Sequence, residues 1–165
     1  MKDFYIGVDN GVTGSIGIIN TNGGASWHKT PVRRELNYTK EEAWLNRIDR
    51  NKLKDILSKV SQHVATGGTA LVILERPMIN SRRWKASCSA LRSFEATLTV
   101  LEDLKLPFIY VDSKEWQKVM LPSGVSGEEL KTSSLQVARR LFPTLKVVKD
   151  GDAILMAEWA RQKQL

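Results

Sequence analysis

Hydrophobic and polar positions along this chain follow two periods in turn, one of strand length and one of helical spacing. Phe4-Tyr5-Ile6-Gly7-Val8 is a short apolar run closed by Asp9, the pattern of a buried strand. Asn10 to Gly14 has turn composition, and Ser15 to Asn20 reads as a second strand. Thr21-Asn22-Gly23-Gly24 is a hairpin signal leading to a third strand around Ala25 to Thr30. Residues 31–48 are polar and take no clear assignment, although Thr39 and Glu42 have capping-box spacing. From Asp49 onward, Leu53, Ile56, Leu57, Val60 and Val64 fall at helical spacing, and Thr66-Gly67-Gly68 stops that helix. Ala70 to Leu74 is a continuous apolar run, as in a strand buried on both faces, with Glu75 at its carboxyl end.

A loop from Arg76 to Arg83 precedes a long predicted helix, 84–104. Pro107 follows, then a short strand from Phe108 to Val111 and a small helix from Ser113 to Val119. Ser126 with Glu129 forms a second capping box, opening a helix that Phe142-Pro143 ends. The last helix starts near Asp150-Gly151-Asp152 and carries Ile154, Leu155, Met156, Trp159 and Ala160. Strand-helix-strand order favours parallel pairings with helices on the sheet faces, and the opening meander makes the sheet mixed. The expected architecture is one α/β domain over residues 1–165.

Composition narrows the class. At 42% apolar residues the 165-residue chain can bury a core, so disorder is excluded. No apolar run approaches the roughly 18 residues of a membrane span. One cysteine, Cys88, allows no intramolecular disulfide. No signal or transit peptide precedes the first strand, so the expected location is the cytoplasm of a bacterium or of a phage-infected cell. The net charge of +7 fits a polyanionic partner, and equally a solvated basic surface. No P-loop or dinucleotide fingerprint is present, so no nucleotide cofactor is expected.

The acids carry the candidate chemistry. Asp9 and Glu75 end strands, and Asp150 and Asp152 open the last helix. Ligands of open α/β sheets gather beyond the carboxyl ends of strands, so these acids can meet there. Crowded carboxylates repel and call for a cation, and hard divalent ions accept such oxygen ligands. Two ions roughly 3.5–4 Å apart can clamp the attacking and leaving oxygens of a phosphodiester displacement. A plainer reading makes Asp150 or Asp152 the N-cap of the last helix. His28, His63 and Cys88 lack ligand or nucleophile spacing and read as packing or surface residues.

From Arg76 to Arg92 the chain has five basic residues and no acid, with Met78 and Trp84 among them. Arg76, Arg82 and Arg83 are candidate phosphate contacts, and Trp84 either stacks on bases or staples its helix to the core. Lys114, Lys118 and Lys131 form a second basic set near Trp116. Arg33, Arg34, Arg47, Arg50, Lys52 and Lys54 have acids nearby in sequence and read as a solvated face.

These segments together resemble a family. Ile6 to Gly17 is similar to the first motif of RuvC-type Holliday junction resolvases, which belong to the RNase H-like superfamily. Val72-Ile73-Leu74-Glu75-Arg76-Pro77 resembles their second motif, and Asp150 to Ala157 their last. Ser113-Lys114-Glu115-Trp116 and the helix closing in Ala138-Arg139-Arg140-Leu141-Phe142-Pro143 resemble the phage and chloroplast branch. The resemblance implies an RNase H-like fold with a mixed five-stranded sheet flanked by helices. It implies a homodimer that nicks four-way or branched DNA symmetrically, with two Mg²⁺ or Mn²⁺ ions per site. Asp9, Glu75 and Asp152 match the family's metal-binding acids. The two late acids are spaced by two here rather than three, with Lys149 at the expected position. Either Asp150 substitutes through a loop shift or the site uses three acids. The long helix, with Ala86, Ser87, Cys88, Ser89 and Ala90, is the expected dimer surface. Other RNase H-like nucleases acting on branched DNA or RNA–DNA hybrids, and a non-catalytic junction-binding module, are the alternatives.

Overall fold

A computed structural model describes residues 1–38 and 40–165. The proposed Thr39–Glu42 capping box therefore lies partly outside the described residues. The opening meander is β1 (Phe4–Val8), β2 (Ser15–Asn20) and β3 (Ala25–Lys29). The stretch that the sequence left unassigned is a hairpin, β4 (Val32–Leu36) and β5 (Trp44–Ile48). Its strands carry no clear pattern because arginines lie on both faces, Arg33 and Arg47 on one and Arg34 on the other, and only Ile48 is buried. Helix α1 (Arg50–Ala65) begins at Asp49, whose side chain accepts from the Lys52 N–H at 3.2 Å. Strand β6 (Ala70–Glu75) follows, then a 3₁₀ turn at Ser81–Arg83 and helix α2 (Trp84–Asp103). Strand β7 (Phe108–Val111) leads into α3 (Ser113–Met120), capped reciprocally by Asp112 and Glu115. Helices α4 (Glu129–Leu141) and α5 (Asp152–Gln162) complete the chain.

Two helix starts differ from expectation. Glu128, not Ser126, is the N-cap of α4, and it makes no side-chain cap bond; the chain turns at Gly127 with φ +59° before the helix begins. Gly151 is the N-cap of α5, so neither Asp150 nor Asp152 caps it.

The main sheet has the order β3-β2-β1-β6-β7. β1 pairs parallel with β6 and β6 with β7, while β1–β2 and β2–β3 are antiparallel. This is the mixed five-stranded sheet with helices on both faces that the sequence implied. Because strand side chains alternate, each inner strand feeds both faces. Tyr5, Leu71 and Ile73 join α3, α4 and α5 in one apolar cluster. Ile6, Val8, Val72 and Leu74 join α1 and α2 in the other.

Helix α5 is the central element of the first cluster. Ala153 to Ala160 are all buried, and the charged side chain among them, Glu158, pairs with Arg161 at 2.7 Å. It reaches the sheet because Gly7 and Gly17 face it. A Cβ on Gly7 would stand 1.9 Å from the Ala153 carbonyl oxygen, and one on Gly17 2.4 Å from the Ile154 Cα. Among the described residues no helix is long and apolar enough to cross a membrane.

Candidate metal centre

Parity along the strands aims the acids. Asp9 follows Tyr5 and Gly7 at period two, and Glu75 follows Leu71 and Ile73. Both therefore face α5, at the carboxyl ends of the two central parallel strands. Asp152 is the first residue of α5, the helix held against those strands by the glycine contacts. Asp9, Asp150 and Asp152 each offer a carboxylate oxygen within 4.8 Å of the others. Glu75 adjoins Asp9, and its Oε1 accepts from Trp116 Nε1 at 3.4 Å.

The surrounding residues fix this arrangement. Asp150 is buried, and its Oδ1 accepts from the Ser15 hydroxyl at 2.8 Å. The Gly151 N–H donates to Ser134 Oγ at 3.2 Å, and Ser134 also hydrogen-bonds Asp152. Lys149 turns away, its Nζ donating to the Thr13 carbonyl at 3.2 Å. Of the two options for the late acids, the loop therefore brings Asp150 into the group and leaves Lys149 outside. Ser15 and Ser134 escaped the sequence reading, since a serine in a strand or helix carries no signal of its partner. Trp116 was visible as part of the Ser-x-x-Trp segment, but its link to Glu75 was not.

The cluster is electrostatically uncomfortable on its own. Burial, and then the charges of Glu75, Asp152 and Asp150, hold the Asp9 carboxyl well above the usual carboxylate range. Burial, followed by the Asp152 charge, pushes Glu75 up to about 7, against the Trp116 hydrogen bond. Burial also raises Asp152, opposed by Ser134 and by the Lys131 ammonium. Such groups either hold protons or share a cation. Both side-chain amide atoms of Asn10, next to Asp9, are buried without a partner among the described residues. An all-oxygen donor set with an unpartnered amide beside it fits a hard divalent cation.

The basic candidates divide. Lys131, in the first turn of α4, lies close enough to act on Asp9 and Asp152. Arg76 follows Glu75 but pairs with Asp112 at 3.1 Å and lies over the Tyr110 ring. Arg82 and Arg83 are exposed on the 3₁₀ turn, and Lys114 and Lys118 are exposed on α3; none contacts the acids. Trp84 is 67% exposed, so it does not staple α2 to the core. Met78 and Ile79 on the same loop are exposed too. Ser87 faces inward and exchanges hydrogen bonds with the Asn80 backbone, so it leaves the small-residue stripe expected on α2.

No family model and no curated protein matches this sequence. Solved structures do match in shape. The structure of Thermus thermophilus RuvC in complex with a Holliday junction substrate aligns with TM-score 0.57 at 14% identity. That alignment covers 98% of this chain and 94% of the other. A second Thermus thermophilus RuvC structure aligns with TM-score 0.50, also at 14% identity, over 98% and 96% of the two chains. With the sheet order, the flanking helices and this near-complete coverage, the chain has the RNase H-like fold of RuvC.

Proposed function

We propose that this protein is a divalent-metal-dependent endonuclease that resolves four-way DNA junctions by paired symmetric nicks. The observation that carries the reading is the convergence of Asp9, Glu75, Asp150 and Asp152 beyond the carboxyl ends of β1 and β6, on a fold shared with a RuvC solved on a junction substrate. These four carboxylates would hold two Mg²⁺ or Mn²⁺ ions. The bound ions would supply the positive charge that activates an attacking water and stabilises the leaving 3′ oxygen. Ser15, Ser134 and Trp116 orient the carboxylates, so the donor set is built before substrate arrives. Lys131 supplies an ammonium at the mouth of the cluster for the scissile phosphate. Arg82, Arg83, Lys114 and Lys118, and Arg76 beyond its pairing with Asp112, extend the basic surface for flanking phosphates. Trp84 is the exposed ring available to stack on an unpaired base.

Residues 1–165 form a single nuclease domain in this reading, with one acidic cluster per chain. Two nicks then require two copies, and we assign the face of α2 around Ala86 and Ala90 to the dimer contact. The test is a nicking assay on a synthetic four-way junction with Mg²⁺ and with EDTA. Paired symmetric nicks in Mg²⁺ alone support the reading. Equal cutting of a flap, a duplex or an RNA–DNA hybrid would assign a broader nuclease, and binding without any nicking would leave a junction-binding module.

A further inference from the structure

The β4–β5 hairpin has no part in that chemistry, yet it is rooted beside it. The Thr30 N–H donates to the Gly14 carbonyl at 3.0 Å, in the turn between Asp9 and Ser15. The Asp49 N–H closes the base of the hairpin on the Pro31 carbonyl at 2.9 Å. From this base the hairpin lies along α2 and leaves a cleft of about 480 Å³ between them. Arg33, Arg47, Arg50 and Arg92 line the cleft, with Asn46 and Ser89.

The sequence suggested that these arginines were balanced by neighbouring acids. The structure gives one carboxylate, Glu35, to two of them: Arg33 at 2.7 Å and Arg47 at 3.1 Å. Arg50 and Arg92 form no ion pair among the described residues. The remaining acid on the cleft wall is Glu95. Arg50 also opens α1, whose first turn holds no acid. A cation there opposes the helix dipole, so its position costs helix stability rather than adding to it.

Guanidiniums gathered along one cleft match phosphate oxygens, which accept forked hydrogen bonds. A second copy of this chain would bring the same cations face to face. The hairpin also raises two rings above the surface, Tyr38 at 77% exposure and Trp44 at 58%, each under a guanidinium at 5.2 Å. Four arginines along one cleft offer more cations than a lone small anion needs, and suit a run of backbone phosphates. We propose that the cleft between the β4–β5 hairpin and α2 holds the phosphodiester backbone of a DNA duplex arm leading away from the acidic cluster. The inference rests on the nucleic-acid reading above and adds to it a second contact region.

The experiment is a salt titration of binding in EDTA, using labelled four-way junctions with short and with long arms. The wild type is compared with the Arg50→Gln, Arg92→Gln pair, and with Arg50→Gln alone should the pair melt early. On long arms the pair should bind more weakly, with a salt slope shallower by about 1.8, two phosphates at about 0.9 each. On short arms the two proteins should bind alike, and Arg50→Lys, Arg92→Lys should keep the wild-type slope. Wild-type affinity and slope for the Gln pair on long arms would overturn the proposal. So would a drop from dimer to monomer in sedimentation that accounts for the weaker binding, which would assign the cleft to a second copy. A wild type that shows the arm-length effect in EDTA but never nicks the same junctions in Mg²⁺ would sink the resolvase reading and leave the cleft standing. A wild type that binds no DNA would sink both.

Discussion

The Ser15 hydroxyl donates to Asp150 Oδ1 at 2.8 Å, joining the start of β2 to the residue before the N-cap of α5 across 135 positions of sequence. Both residues are buried. Ser15→Ala would leave a buried carboxylate oxygen without that donor. The expected cost is about 1–3 kcal/mol in the metal-free protein, read from denaturant midpoints. An unchanged midpoint would mean that Asp150 finds another partner.

Asp9→Asn should keep junction binding and lose nicking, because one metal ligand goes while the phosphate contacts stay. At pH high enough to ionise the cluster it should also raise the melting temperature without metal, since it removes one of several mutually repelling carboxylates. The same substitution should shrink the stabilisation that added Mg²⁺ confers. Normal nicking by the variant would remove Asp9 from the site.

Metal-free stability should fall as pH rises. Glu75 has an ordinary value of 4.5 and is pushed up to about 7 in the fold, so between those values the folded state binds the extra proton. The stability linked to that proton is present below about pH 4.5 and is lost as pH climbs through about 7. Asp9 and Asp152, raised as well, act in the same direction. A cation that replaces the protons should therefore stabilise the protein more at pH 8 than at pH 5. Thermal melts with Mg²⁺ and with EDTA at the two pH values check this, and an equal shift at both would contradict it.

Gly17→Ala tests how α5 is seated. The new Cβ would stand 2.4 Å from the Ile154 Cα, which is backbone and cannot rotate aside. A loss of about 1–3 kcal/mol is expected from the overpacking. Since Asp152 begins this helix, Mg²⁺ stabilisation should weaken as well. A variant as stable as the wild type would show that the helix shifts freely.

Much of this molecule was legible along the chain. β1, β2, β6, β7 and the helices follow from apolar runs, helical spacing and their end signals, because each buries a face that its own sequence must supply, while β3 follows from the turn before it. Asp9 and Glu75 could be read as strand-end acids for the same reason. The β4–β5 hairpin could not, because its strands are held by pairing with each other and bury little apolar surface. The start of α4 was misread because capping-box spacing fixes no backbone path.

Sequence by itself therefore determined most of the elements, the strand-end positions of Asp9 and Glu75, and the excess of cations. Only the tertiary structure decided which acids meet, that Asp150 enters where Lys149 turns away, and which arginines share a cleft. The reason is the range of the forces. Periodicity and capping act over a few residues, whereas the Ser15–Asp150 bond and the glycine contacts under α5 exist only once distant segments have packed.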